Sequence, residues 1–309
     1  MYSHTINILV IKHGALGDMV LATGAFRAIR NHHPDLGLIL LTTKPFDDLI
    51  RPMDVFDKIL LDRRPKGVAG VKQRILTGLQ LRSLDIHRVY DLQHSSRTAT
   101  YHQIMRFGRA LEWSGIAKGC SHPHGNPDRD KMHTVERTAE QLRDAGLPDY
   151  SPYDLNWLGG DISDLHLPDR YALLVPNASA KRPEKVWPLD RFTALAKWLH
   201  GKDIIPVVIG AGDDTGAGRA ITEAVPDTID LTGKTDFNQL ASVGRAASLA
   251  VGNDTGPMHL FAPLGTPSIV LFSHASEPIQ TAPRGPNLTV LRRPTLDQLS
   301  VDAVVKVIE

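Results

Sequence analysis

The chain has 309 residues, with 35 Lys and Arg against 34 Asp and Glu and a net charge of +1. An apolar fraction of 42% beside 22% charged residues is that of a globular protein and excludes disorder as the main state. A single cysteine, Cys120, excludes an internal disulfide framework and a cysteine zinc knuckle, and no apolar run approaches the roughly 18–20 residues that cross a bilayer.

The N-terminal residues lack the basic region and apolar core of a signal peptide, so the cytoplasm is the expected compartment. At about 100–200 residues per domain the length suits two domains. The near-zero charge hides an asymmetry. Residues 1–150 carry 21 Lys and Arg against 16 Asp and Glu, and residues 151–309 carry 14 against 18. A basic first half suits an anionic partner, although uneven surface charge gives the same count. No run of five basic residues marks a nucleic-acid site, and none is expected.

Short β-branched runs alternate with amphipathic stretches. Strands are predicted at residues 6–11, 38–41, 58–61 and 89–92, and helices at 19–30 and 134–145. Residues 114–132, rich in Gly, Pro and His, read as a loop. Residues 147–169 have the Pro, Asp and Gly content of a linker. A second alternation follows. Strands are predicted at 171–175, 204–209, 249–252 and 268–272, with helices at 189–200, 214–225, 237–247, 256–264 and 295–308. Buried runs separated by helices indicate parallel sheets covered on both faces. The expected fold is α/β, two doubly wound Rossmann-like domains facing a cleft.

Ligands of such sheets collect where strands end and helices begin. Three turns of this kind stand out. The first runs from Lys12 through His13, Gly14 and Gly17 to Asp18. It is neither a G-x-G-x-x-G fingerprint nor a P-loop. Asp18 at a helix start suits either a general base facing a cleft or an ordinary helix cap. The second, Pro176-Asn177-Ala178-Ser179, is followed by Lys181, Arg182 and Lys185, which suits a phosphate or a solvated basic loop. The third is Asn253-Asp254-Thr255-Gly256-Pro257-Met258-His259, where Thr255 can cap, Pro257 suits a first helical turn and backbone amides suit a phosphate. Its Asp-Thr-Gly is not that of an aspartic protease, which needs two such aspartates in an all-β setting. Asp213, after another predicted strand, suits a ribose or a cap. His122, His124 and His133 with Asp128 and Asp130 match no metal motif, and no metal site is expected.

Taken together and in this order, the three turns resemble those of the bacterial heptosyltransferase family, glycosyltransferase family 9, which builds the lipopolysaccharide core. The resemblance runs through residues 8–23, through Lys185-Val186-Trp187-Pro188 and Leu231-Thr232-Gly233-Lys234-Thr235, and through Asn253 to Leu260. It implies a glycosyltransferase fold of the B type. Residues 1–150 would bind the acceptor, 151–170 would be the linker and 171–309 would bind the donor, with the last helix packing back on the first domain.

The resemblance also implies an inverting, metal-independent transfer of heptose from an ADP-sugar, with no cofactor, to an anionic lipopolysaccharide core. Membrane association would be at most peripheral, at the cytoplasmic face of the inner membrane. Asp18 matches the base and Lys185 the lysine that neutralises the diphosphate. Asp254, Thr255, Gly256 and His259 match the donor turn, with Ser179 and Asp213 as further donor contacts. His13, Gly14, Gln93 and Arg97 lie where the acceptor would face. Departures are Asn177 where many members have glycine, and Pro263 inside the last predicted helical turn of 256–264. Another nucleotide sugar or acceptor, or a binding protein without turnover, is the alternative.

Overall fold

The computed structural model describes residues 6–177, 182–212 and 215–309. The chain divides into two compact units that meet in sequence at Trp157 and Leu158. The first contains β1 (Asn7–Ile11), α1 (Leu16–Val20), α2 (Thr23–His32), β2 (Gly37–Thr42), α3 (Phe46–Ile50), β3 (Lys58–Leu61) and α4 (Gly67–Ser83). It continues with β4 (Ile86–Asp91), α5 (Ser96–Arg106), β5 (Glu112–Gly115), β6 (His122–Pro123) and α6 (Thr134–Asp144). Its six strands are parallel, in the order β3-β2-β1-β4-β5-β6.

The second unit contains β7 (Tyr171–Val175), α7 (Leu189–His200), β8 (Ile205–Val208), α8 (Thr215–Ala224), β9 (Ile229–Asp230) and α9 (Phe237–Ala246). Then come β10 (Leu249–Asn253), α10 (Gly256–Phe261), β11 (Ser268–Phe272), α11 (Pro278–Thr281), β12 (Leu288–Arg292) and α12 (Val301–Ile308). These strands too are parallel, in the order β12-β11-β10-β7-β8-β9. Both sheets therefore have the same doubly wound order. In each, the winding reverses between the first and fourth strands, which is where such sheets open a crevice.

The central strands β1, β7, β10 and β11 are almost wholly buried, because helices cover both faces of a parallel sheet. In the first unit Leu9, Ile11, Ile39, Leu41, Val89, Tyr101 and Trp113 pack into one core. In the second, Trp187, Phe192, Leu195, Leu199, Val251 and Leu271 form another. Trp187 is fully buried, and its indole N–H donates to the Leu299 carbonyl at 2.8 Å, so no polar group is stranded. Helix α12 packs on α7 and adds Val304 to this second core.

Several elements differ from the sequence expectation. The helix predicted at 19–30 is two helices, α1 and α2, and the Thr23 hydroxyl bonds the Val20 carbonyl at 2.8 Å at their junction. Residues 114–132 are not all loop, since β5 begins at Glu112 and β6 adds a two-residue edge strand. The helix expected over 256–264 stops at Phe261, before Pro263. Residues 151–157 belong to the first unit, where the Asp154 amide donates to the Thr23 hydroxyl. Residues from Leu158 onward belong to the second, where Ser242 hydrogen-bonds Gly160.

Candidate functional site

The first unit's crevice is lined by the segments after β1 and β4. Gly14 has a φ of +110°, and a Cβ there would lie 2.2 Å from the Phe46 ring, so only glycine fits this turn. The chain then enters α1, with Asp18 at the third helical position. One oxygen of the Asp18 carboxylate accepts the Ala15 amide at 3.2 Å, and the other lies 3.5 Å from the Lys12 ammonium. Lys12 is buried and is anchored on the Leu92 carbonyl at 3.2 Å. Asp18 thus caps its helix while leaving 45% of its side chain accessible. Capping and an exposed carboxylate coexist in one residue.

Behind this loop lies a hub that local patterning does not disclose. Asp62, just past β3 and wholly buried, accepts Arg97 through two bonds of 2.7 and 2.6 Å and the Tyr101 hydroxyl at 2.8 Å. The His13 ring nitrogen Nε2 is 3.2 Å from the same carboxylate. Burial drives the His13 pKa down to about 4, against the pull of Asp62, so the ring is neutral at pH 7. The His13 amide donates to the Gln93 side chain at 2.8 Å, and the Thr43 hydroxyl donates to the His13 carbonyl at 2.6 Å.

His13 and Gln93 are therefore brought together, as residues that shape the loop carrying Asp18. Arg97 is held mainly by Asp62, with a further bond to the Arg63 carbonyl. Its guanidinium braces the site rather than standing open in it. Asp91, fully buried, is pushed up to about 6 by burial, which the Thr98 hydroxyl and the amides of His94 and Gln93 partly offset. His94 is lowered to about 3, first by burial and then by Arg129, and its ring contacts Gln141 at 2.6 Å. Arg137 on α6 is lowered by burial and by Arg129, and it feels the opposite charge of Asp18. Nothing in the local sequence marks Arg137, because only the tertiary fold brings it toward Asp18, with Arg129 beside it.

The second unit's crevice lies after β7 and β10. Buried Asn253 ties its two sides together, accepting the Trp187 amide at 2.9 Å and donating to the Pro176 carbonyl at 2.7 Å. Next to it, the Asp254 carboxylate accepts the Lys185 ammonium and the Ser276 hydroxyl, both at 2.6 Å, and lies 3.4 Å from His259 Nε2. Burial alone would raise the Asp254 pKa, but the bonds from His259, Lys185 and Ser276 outweigh it and hold the group down at about 2. Thr255 occupies the N-cap position of α10 without a capping bond from its hydroxyl, and Gly256 and Pro257 form the first turn. Lys185, Asp254, Thr255, Gly256 and His259 thus form one cluster. Ser276, from the loop after β11, escapes sequence reasoning because nothing in its local sequence marks it. Ser179 and Asp213 lie outside the described residues.

Among the described residues, the side chains that could share a metal ion are His124, Glu140 and Asp144, whose ligand atoms all lie within 4.8 Å of one another. The other residues of that histidine-rich segment pair elsewhere: Asp128 with Lys131, Asp130 with Arg129 and His133 with Glu136.

Two doubly wound sheets, one turn presenting a carboxylate and the other a lysine–aspartate pair, are the architecture of the B-type glycosyltransferase fold. Residues 78–304 match the model of glycosyltransferase family 9 (heptosyltransferase), and the chain belongs to that family. It is 24% identical over 308 residues to lipopolysaccharide heptosyltransferase 2 of Salmonella typhimurium, covering 93% of this chain and 88% of the relative. The Escherichia coli protein of the same name is likewise 24% identical, with the same coverage.

Among solved structures, the fold is similar to a glycosyltransferase family 9 protein of Veillonella parvula, with a TM-score of 0.81 and 19% identity. It is also similar to E. coli ADP-heptose lipopolysaccharide heptosyltransferase II, with a TM-score of 0.76 and 21% identity. Each of these comparisons covers 98% of this chain and 97% of the other.

Proposed function

We propose that this enzyme transfers heptose from ADP-heptose to a lipopolysaccharide core acceptor, with inversion at the anomeric carbon and without a metal ion or cofactor. The first unit binds the acceptor and the second binds the donor. The observation that carries the mechanism is Asp18, fixed by Lys12 and the Ala15 amide yet open at the mouth of its crevice. Its free lone pairs accept the proton of an acceptor hydroxyl as that oxygen bonds to C1 of the sugar. The bond from C1 to the diphosphate breaks on the opposite face, and the electron pair leaves with ADP.

Negative charge then accumulates on the leaving oxygens. Lys185 and the backbone amides at Thr255 and Gly256 stabilise it electrostatically. In this reading Asp254 and Ser276 hold the Lys185 ammonium in place until the diphosphate takes over part of its charge. Ser179 and Asp213 are further donor contacts, at the phosphates and the ribose. Lys12, Arg129 and Arg137 supply the positive field for the anionic core, and His13, Gly14, Gln93 and Arg97 shape the acceptor face. The names of the relatives support the donor and acceptor classes: lipopolysaccharide heptosyltransferases are among them, and an E. coli heptosyltransferase structure holds ADP-2-deoxy-2-fluoro heptose. This reaction belongs in the cytoplasm, at the inner-membrane face where a lipid-borne acceptor is presented.

A transfer assay with a panel of nucleotide sugars and core oligosaccharides tests the reading, with the product's anomeric configuration read by NMR. Inverted heptoside formed from ADP-heptose, in EDTA, is the expected result. Retention of configuration, metal dependence or preference for a different sugar would overturn it.

A further inference from the structure

Helix α4 turns the usual pattern of a surface helix inside out. Its inward positions carry Gly70, Thr77, Gly78 and Leu81. Gly70 is needed there, because a Cβ would lie 2.2 Å from the Pro65 carbonyl oxygen, and Gly78 makes room for the tip of the Ile104 side chain, 2.6 Å from where a Cβ would stand. The large aliphatic residues point the other way. Val68 is 87% exposed, and Val71, Ile75, Leu76 and Leu79 are between 46 and 57% exposed. Val68, Val71, Ile75 and Leu79 recur at intervals of three and four residues, so they line one stripe of the helix. Phe107, 79% exposed, extends this surface beyond the helix end, where its carbonyl accepts from Arg82 at 2.6 Å.

The segments that carry and flank this stripe are basic, and of the acidic residues that bound them Asp62 and Asp91 are buried, Glu112 is paired with Arg88 and Asp85 is exposed just past the helix cap. Residues 63–84 contain Arg63, Arg64, Lys66, Lys72, Arg74 and Arg82 and no acidic residue, and residues 92–111 add Arg97, Arg106 and Arg109, again with none. Arg97 is neutralised by Asp62. Arg82, Arg106 and Arg109 instead bond backbone carbonyls, at Phe107, Gly119 and Arg82, which leaves their charges uncompensated. No described helix is long and apolar enough to cross a membrane. A 17-residue helix with an exposed aliphatic stripe and basic residues beside it offers a lipid interface apolar and cationic contacts together, although its glycine-lined inner face leaves the helix as a whole only weakly amphipathic.

We propose that the outer face of α4, with Phe107, docks the first unit on the surface of an anionic phospholipid bilayer. The aliphatic stripe enters the boundary between headgroups and acyl chains, while the surrounding lysines and arginines meet lipid phosphates. The partner is a bilayer rather than a protein groove because cations far outnumber acidic groups beside the stripe, which suits a continuous anionic plane. Docking rests on the proposed reaction and deepens it, by placing the acceptor-binding unit where a lipid-borne acceptor lies. It is tested without acceptor or donor, so failure to bind lipid and failure to transfer sugar are separate results.

Co-sedimentation of the full chain with vesicles of phosphatidylcholine alone, or with about 30% phosphatidylglycerol, measures the partition. Binding is expected to require the anionic lipid and to weaken with salt. The doubly substituted Ile75→Glu/Leu79→Glu variant should lose at least about tenfold, and Lys72→Gln up to about fivefold. Because these side chains are exposed, both variants should keep the wild-type circular dichroism and melting temperature. An Ile75→Trp variant should shift its emission to the blue on vesicle binding and be quenched by brominated acyl chains. Equal partition of wild type and the double glutamate variant would overturn the proposal. So would an emission from the Ile75→Trp variant that vesicles leave unshifted, or a wild-type dimer that the glutamates dissociate in the absence of lipid.

Discussion

The two crevices share a strand order but place their ion pairs differently. In the first unit the groups behind the loop are buried and closed on one another: His13 and His94 are held far below the usual histidine range, and one carboxylate, Asp62, pairs with Arg97 and accepts Tyr101 beside His13. In the second unit the groups are charged and paired directly, Lys185 against Asp254. A backing whose charges are satisfied internally suits a loop that must aim one carboxylate. A lysine–aspartate pair suits a place where an arriving diphosphate is to compete for a cation. Orientation is built into one crevice and exchangeable charge into the other.

The largest expected effect falls on the aimed carboxylate. Asp18→Asn keeps the helix cap but removes the proton acceptor, so kcat should fall by about 10²–10⁴, as measured by single-turnover transfer. A smaller loss would move the base elsewhere. Asp62→Asn comes next. It leaves Arg97 with a neutral partner at the centre of the hub and should cost about 3–5 kcal/mol of stability by urea denaturation. Lys185→Ala should weaken ADP binding about tenfold to a hundredfold, a cost of roughly 1.4–2.8 kcal/mol, and should also lower the melting temperature, because it leaves the buried Asp254 carboxylate without its cation.

The smallest effect is the response to acid. His13 and His94 have folded pKa values depressed below the unfolded 6.5, so the stability they confer is present above that value and lost as the pH falls through it toward about 4 and 3. Each costs about 1 kcal/mol by pH 5.5. Asp91, raised to about 6, opposes them, since its folded state gains protons over the same range. Asp254 contributes its stability above the unfolded carboxylate value and loses it only as the pH falls toward about 2. Hydrogen exchange between pH 7 and 5 should therefore loosen the first crevice before the second.

The same contrast separates what the sequence disclosed from what it hid. The strands at 171–175 and 268–272 were legible because a strand covered on both faces is a continuous apolar run. Helix α4 was not, because its large apolar residues face outward and its buried face is glycine, so the two faces cancel as a pattern. Helix α5 was hidden by a mixture of Arg97, Thr98, Tyr101 and His102, of which Arg97 and Tyr101 turn inward to Asp62 while His102 packs on Trp113. The turns carrying Asp18 and Asp254 could be read from small residues next to a strand, since that chemistry is local. Asp62 and Ser276 could not, because their partners come from distant segments and only folding joins them.

The division of labour between the crevices is measured by calorimetric titration of ADP into wild type, Asp18→Asn and Lys185→Ala, in parallel with their transfer rates. The expected result is an Asp18→Asn protein that binds ADP within about twofold of wild type while transferring at most about a hundredth as fast, and a Lys185→Ala protein that loses affinity. Wild-type transfer by Asp18→Asn, or undiminished ADP affinity in Lys185→Ala, would contradict it.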